Sequence, residues 1–353
     1  MLDMKNITTF AVALIAFAAS AFAGATGEEP ELFSTPTEVL RTGNQGSHHV
    51  QGVAYDALRN LYYLSFTTRL IAIKADGTVV ASVENLTGHL GDLAFDATSR
   101  TLYGSIEYKH DAIGNNIQKS SASPANDQAT GFYIAMFQVD NLTRIGMSSD
   151  ETMRTAYLRQ PVEDHLAKVE NGGRTWEHRH GCSGIDGVAL APRIGKNGKP
   201  KHGKPMLYVA YGIYGETERT DNDNQVILCY DLKELKRCAR TLSAQHLHQS
   251  GPRKPVATYF VPTGNTNFGI QNLTFDWDRG CFLAACYKGS KPHLPNYDLF
   301  AISGKGLQDV RGWHFPWGST GLEYLGNGRY LISHNKREAG QESATLYQYQ
   351  WSE

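Results

Sequence analysis

Apolar and polar positions alternate along this chain in short runs separated by turns rich in Gly, Asn and Asp, and no stretch carries a long apolar stripe at helical spacing. One phrase recurs: Gln51-Gly-Val-Ala-Tyr-Asp56, Gly91-Asp-Leu-Ala-Phe-Asp96, Asp186-Gly-Val-Ala-Leu190, Gln271-Asn-Leu-Thr-Phe-Asp276 and Thr320-Gly-Leu-Glu-Tyr324. Each copy is too short for a helix. In most, a polar turn and a second β-rich run follow, at residues 60–66, 101–107, 206–211, 281–287 and 329–333. A third run comes at 70–74, 132–137, 225–230, 297–302 and 344–349, and a fourth is clear only in places, such as 78–83 and 256–261.

Repeated units of about four strands, each with a Gly-containing inner strand, predict an all-β fold: a β-propeller of five blades, with six or seven as the alternatives. Small residues suit the innermost strand because the blades crowd at the axis. Residues 37–41 would supply the outer strand of the last blade and close the ring, which removes a sheet edge. The long gaps at 108–131 and 146–180 are where a sixth blade would fit.

Charge and cysteine usage narrow the setting. With 34 Lys+Arg against 35 Asp+Glu, the formal net charge of -1 excludes a general nucleic-acid binder, which needs a basic excess to displace counterions. Lys5 precedes an apolar run that ends in Ala21-Phe22-Ala23, a secretory signal peptide rather than a membrane anchor. The expected organisation is therefore a leader at 1–23 and one propeller domain at 24–353. The mature chain is expected to be secreted or periplasmic, monomeric and without stable membrane insertion. Export permits disulfides. Cys229 with Cys238 and Cys281 with Cys286 are candidate local pairs, against an equal reading as buried thiols, with Cys182 odd in either case.

In a propeller, successive connections alternate between two faces. One face receives the tight polar turns at 56–60, 96–100, 276–280 and 325–328. The other receives the segments leading into each inner strand and the links from second to third strand, and here the residue types change. His48 and His49, His89, His178 and His180, and Trp313 with Trp317 lead in. The links carry Arg69, Lys109, Tyr214 with Arg219, Lys288, and His334 with Lys336. Loops grafted on one end of a rigid scaffold make a binding mouth. His49 and His89 precede the same repeat position by three residues and His180 enters the third blade, so these are the proton-transfer candidates. Arg69, Lys109, Tyr214, Arg219, Lys288, His334 and Lys336 are the substrate-binding candidates.

The repeat also sets Gln51, Asp92, Asp186, Gln271, Asn272 and Glu323 beside the axis. Crowded acids repel unless paired, protonated or bound to a cation, and oxygen-only ligation suits Ca2+ or Mg2+ rather than zinc. An axial Ca2+ held by Asp92, Asp186, Gln271 and Glu323 is the first expectation. The alternatives are paired carboxylates, Glu323 among them, working as acid and base in glycoside cleavage, and inner-strand polar residues that simply bond neighbouring blades. Asp221-Asn-Asp-Asn224 lacks the Gly and closing Glu of an EF-hand, and His178-x-His180 shows no third ligand. Nucleophile-elbow, H-E-x-x-H, Walker and G-x-G-x-x-G signatures are absent, so the common metalloprotease, NTPase and dinucleotide readings fall away.

The phrase Gly321-Leu-Glu-Tyr324, with the other acids at comparable places, resembles the secreted calcium-activated nucleotidases, five-bladed propellers with a calcium on the axis. Five-bladed propeller glycosidases likewise carry two Asp and one Glu around a central pocket. The nucleotidase resemblance implies metal-linked roles for Asp92, Asp186 and Glu323.

The expectation is an exported lyase or hydrolase that takes an anionic carbohydrate, or another small-molecule substrate, at this mouth. Cations would neutralise the carboxylate and a His or Tyr would take the α-proton. A calcium-dependent nucleotide phosphohydrolase and a non-catalytic glycan- or protein-binding propeller are the alternatives. In the last case Trp313, Trp317 and Tyr214 would stack on sugar rings.

Overall fold

The computed structural model describes residues 32–120, 130–243 and 246–352. The expected leader at 1–23 lies outside the described residues. No helix among the described residues is long and apolar enough to cross a membrane.

Five four-stranded antiparallel sheets are arranged as the blades of a propeller. Blade one is Gly52–Asp56, Leu61–Ser65, Leu70–Ile73 and Val79–Val83. Blade two is His89–Asp96, Thr101–Tyr108, Gly131–Gln138 and Met153–Tyr157. Blade three is Cys182–Ala191, Met206–Ile213, Gln225–Asp231 and Ala257–Val261, and blade four Thr266–Asp276, Cys281–Lys288, Leu299–Ser303 and Asp309–Trp313. Blade five is Leu322–Gly326, Arg329–Glu338 and Gln341–Gln350, completed by Thr37–Arg41 from the start of the chain. Each inner strand packs on the next, and the fifth packs on the first. The ring is closed by the strand expected to close it.

The two long gaps hold insertions rather than a sixth blade. The first contains a helix, Ala112–Ser120, which the strand pattern did not predict; Asp111 Oδ1 accepts from Gly114 N at 2.8 Å and anchors its first turn. The second contains the outer strand of blade two, the helix Arg159–Leu166 and a hairpin of Lys168–Asn171 with Arg174–Glu177.

The Asp that ends the repeated phrase has a mechanical role. Asp56, Asp96 and Asp276 each accept backbone N–H groups of the turn that follows, which fixes the reversal into the second strand. Asp56 is fully buried and also takes both arms of Arg100 from blade two, at 2.6 and 2.9 Å, while Asp276 accepts from Tyr330 of blade five. The turn caps therefore double as links between blades.

At the axis, two polar side chains satisfy backbone that no sheet reaches. Asp92 accepts from Leu93 N, Val188 N and Leu273 N at 2.8, 2.8 and 2.9 Å, joining blades two, three and four. Asn272 donates to Gln51 O at 2.8 Å and accepts from Leu322 N at 3.1 Å, joining blades one and five to blade four. Both are fully buried. Asp92 and Asn272 occupy the same repeat position, which is Gly in the other three blades. At Gly52 the reason is a close approach: a Cβ there would sit 2.6 Å from the Asp92 Cα.

All five cysteines are free, which corrects the proposed local disulfides. Cys281 and Cys286 share one extended strand, so their Cα atoms are held roughly 16 Å apart, far beyond bridging distance. Cys229 packs into the core between blades three and four, while Cys238 ends the helix Leu232–Cys238.

Replacing Asp92 by Ala leaves three buried amides without an acceptor, each at about 1–3 kcal/mol. We expect the urea unfolding free energy to fall by about 3 kcal/mol or more in Asp92→Ala. Asp96→Ala, which removes only a turn cap, should lose about 1 kcal/mol. Equal losses in the two variants would remove the special role given to the axial carboxylate.

Candidate active-site mouth

The mouth on the lead-in face is a cavity of about 630 Å3, lined by His48, His49, Gln51, Thr67, His89, Lys109, Ser183, Asp186, Gln271, Tyr287, Arg337 and Glu342, with apolar cover from Ile113, Ile117 and Phe268. Its polar floor comes from irregularities in the inner strands. In blades two, three and four the pairing of inner with second strand shifts between Leu90 and Leu93, Ile185 and Val188, and Ile270 and Asn272. These shifts enclose Asp92, Asp186 and Gln271. A bulge re-aims an otherwise alternating side chain, and here it brings those groups to the axis.

His89 and Glu107 face each other across the first two strands of blade two. Glu107 Oε1 accepts from Ile185 N at 2.5 Å, and Lys109 Nζ lies 2.8 Å from Glu107 Oε2, 3.2 Å from Ser183 O and 3.4 Å from Asp111 Oδ2. Gly184, at φ +152°, makes room for this: a Cβ there would overlap the Glu107 carboxylate. Burial works against the charge on Glu107, but Lys109 and His89 outweigh it and hold the carboxyl low. Burial likewise opposes the charge on Lys109, and Glu107, Asp111 and Asp186 outweigh it and hold the amine high. Asp186 accepts from Gln271 Nε2 at 3.1 Å. Burial, reinforced by Glu107, pushes its carboxyl well above the usual range.

On the rim, the Gln51 amide nitrogen lies 3.1 Å from His49 Nε2 and 3.2 Å from Thr67 Oγ1. An amide N–H donated to Nε2 leaves the His49 ring proton on Nδ1. Burial, together with His89, His48 and Arg337, pulls His49 down to about 4; burial and His89 also lower His48. Both rings are neutral near pH 7. Arg337 stands opposite Glu342 in the blade-five hairpin, 3.6 Å away and largely exposed.

Of the residues expected at this mouth, the structure brings together His49, His89, Lys109, Asp186 and Gln271. The others lie elsewhere, each for an identifiable reason. His180, at φ +58°, turns outward onto the Phe260 ring, and His178 stacks on His165 instead, so the two rings diverge. Tyr214 packs against His178. Arg219 is fully buried and spends its guanidinium on Asp221, Glu177 O and His178 O. The Asp221–Asn224 loop is closed by the buried Lys291, which donates to Asn222 and Asp223. Arg69 pairs with Glu84 and Gln45, Lys336 pairs with Glu338, and Lys288 is exposed at its strand end. His334 stacks face to face on Trp317 at 3.7 Å and bonds Tyr349.

The four expected calcium ligands do not converge, and the reason is register. Counting from Gln51, Asp186 and Gln271, Asp92 is one position further along the repeat and Glu323 three. At about 3.3 Å per residue that is about 10 Å down the axis. Glu323 accordingly lines a cavity at the opposite end, with Asp96, Thr98, Trp277 and Tyr324, where burial raises its carboxyl to about 8. Asp92 lies between the two ends with its oxygens taken by three amides. These residues do not fit an axial calcium.

His48 was placed at the mouth without a role of its own, and Glu107, Arg337, Phe268 and Tyr287 were missed as site residues. His48 and Arg337 neighbour chosen residues in sequence; Glu107 could have been found as the cross-strand partner of His89.

No family model matches the chain. No curated protein matches it either. Among solved structures, the chain is similar to a luciferin-regenerating enzyme, with 10% identity, 90% of this chain and 95% of that one covered, and a TM-score of 0.36. It is also similar to the Dos1 propeller, with 9% identity, coverage of 88% and 94%, and a TM-score of 0.30.

Removing one partner of a buried ion pair strands the other, at about 3–5 kcal/mol. Lys109→Met is expected to lower unfolding free energy by about that amount. Adding Glu107→Gln to it should restore part of the loss, measured as a double-mutant cycle in urea. Additive losses would show that the pair is not coupled.

Proposed function

We propose that the chain is an exported, monomeric enzyme that cleaves an anionic carbohydrate by β-elimination at this mouth. The observation that carries the reading is the pair His48–His49, neutral imidazoles that line one cavity with the cations Arg337 and Lys109. A uronate has an acidified proton α to its carboxylate. Arg337, at the open rim, suits the carboxylate and stabilises the charge that develops on it as the proton leaves. His48 takes the α-proton, since the lone pair on His49 Nε2 already accepts the Gln51 amide; the C–H electrons form the new double bond and the glycosidic C–O bond breaks. The same imidazole then returns its proton to the departing oxygen, so no other acid is required.

Hydrolysis is the less favoured form. It needs two carboxyls flanking one bond, and the acids that line this cavity are Asp186 and Glu342, the second turned to Arg337. Glu107 lies beneath, engaged by Ile185 N and Lys109. A calcium-dependent phosphohydrolase would require the axial ligands that register separates.

The test is incubation of the purified protein with a panel of uronate-containing oligosaccharides, following the ultraviolet absorbance of an unsaturated product. We expect product, and a loss of about 10²-fold or more in kcat when His48 and His49 are both replaced by Ala. No product from a broad acidic panel would discard elimination and leave a binding propeller, while full activity in the double variant would discard the histidine pair as the base.

The histidine base works only when unprotonated. Activity should therefore hold as pH falls through 6.5, the ordinary histidine value, because burial and His89 lower the His48 ring. Around the pair stand His89, Arg337, Glu342 and the uncharged Gln51 and Thr67; the first two oppose protonation. An acid limb of kcat/KM near 6.5 would assign the proton transfer to a different, unperturbed group.

A further inference from the structure

Beneath the rim, one nitrogen and two carboxylates meet in a buried pocket. Ligating atoms of His89, Glu107 and Asp186 all lie within 4.8 Å of one another, and all three residues are buried. His89 is 8% exposed, and its Nδ1 has no hydrogen-bond partner among the described residues; the nearest acid oxygen, Glu107 Oε2, is 3.5 Å away. A buried ring nitrogen without a partner is costly and calls for one.

Charge points the same way. Lys109 balances Glu107, whereas the hydrogen bond that Asp186 accepts comes from the uncharged Gln271 amide. Two buried carboxyls thus share one ammonium. The surrounding backbone keeps the space open: a Cβ on Gly212 would sit 2.7 Å from Asp186 Oδ2, and one on Gly184 would overlap Glu107.

We propose that His89, Glu107 and Asp186 bind one divalent first-row transition-metal ion at the floor of the mouth. One imidazole nitrogen with two carboxylates suits Zn2+, Co2+ or Mn2+ better than Ca2+, which prefers all-oxygen shells. Three protein ligands leave positions for water or a ligand oxygen. Lys109 is the competitor: its ammonium occupies the oxygen of Glu107 that faces His89, and Ser183 O and Asp111 Oδ2 offer it a place to go when an ion enters. The ion would deepen the elimination reading by taking the substrate carboxylate. That catalytic meaning rests on the reading, while the binding does not.

The full-length mature protein, stripped with a chelator, is titrated with Zn2+ by calorimetry and with Co2+ by visible absorption. One ion per chain is expected, with d–d bands of a nitrogen-and-oxygen site for Co2+. His89→Ala and Asp186→Asn should each weaken binding roughly ten-fold or more. Lys109→Met removes the competitor, so it should bind at least as tightly as the parent and be stabilised by the ion. No saturable binding by the parent would overturn the proposal. So would unchanged affinity in both His89→Ala and Asp186→Asn, since surface histidines would then hold the ion. If those variants do not fold, the parent's Co2+ spectrum decides, and spectra without nitrogen-and-oxygen bands count against the site. Intact ion binding without turnover on uronates discards the elimination reading alone.

Discussion

Five inner strands cannot hydrogen-bond to one another around a ring, yet their amides are buried where the blades meet. That constraint is met chiefly by two side chains, with Ser65 donating to Gly91 O and Thr274 accepting from Tyr324 N beside them. Asp92 gathers amides from three blades, and Asn272 ties in the other two through one carbonyl and one amide. Their position must otherwise be Gly, because the inner strands come too close for a Cβ. The acceptors are thus placed by the same crowding that creates the need for them. Burial pushes the Asp92 carboxyl well above its usual range against the pull of the three amides, which eases its repulsion with the other axial acids.

The architecture was legible because it is written as repetition. Five phrases, the turn-capping Asp at the end of several, and a lone strand ahead of the first phrase were enough to place the blades and close the ring. The mouth was legible in outline, since His49, His89 and Lys109 sit on lead-in and link segments of that ring. The axial acids were misread because residues within a phrase were taken as one level. Aligned residue by residue, Gln51, Asp186 and Gln271 share a position, Asp92 and Asn272 share the next, and Glu323 aligns with Ala54, Ala94, Ala189 and Thr274. A strand converts each of those steps into a few ångströms along the axis.

The cations were less legible, for a different physical reason. A Lys or Arg on a loop looks available until its neighbours are known, and most of these have acids close by. Arg219 turns on Asp221 two residues later, and Lys336 on Glu338. Those short spacings are in the sequence and argue for local pairing. Arg69 with Glu84 is a link across blade one that only the fold reveals. The helix Ala112–Ser120, whose Ile113 and Ile117 cover the mouth, escaped because its apolar positions are few and it interrupts a strand rhythm that dominates the reading.

The plug at the axis also separates what the two ends can do. Asp92 and Asn272 are fully buried between the histidine-lined mouth and the cavity that holds Glu323, so a ligand at one end meets no side chain of the other. The lead-in segments and second-to-third links are therefore free to carry chemistry without carrying the closure of the ring. The exception is the floor. Asp186 and Gln271 stand two residues before the amides of Val188 and Leu273 that Asp92 gathers, in the bulges that re-aim them. Chemistry at the floor is held more rigidly than chemistry at the rim. That suits a floor that fixes charge and a rim of histidines and arginine that meets the ligand.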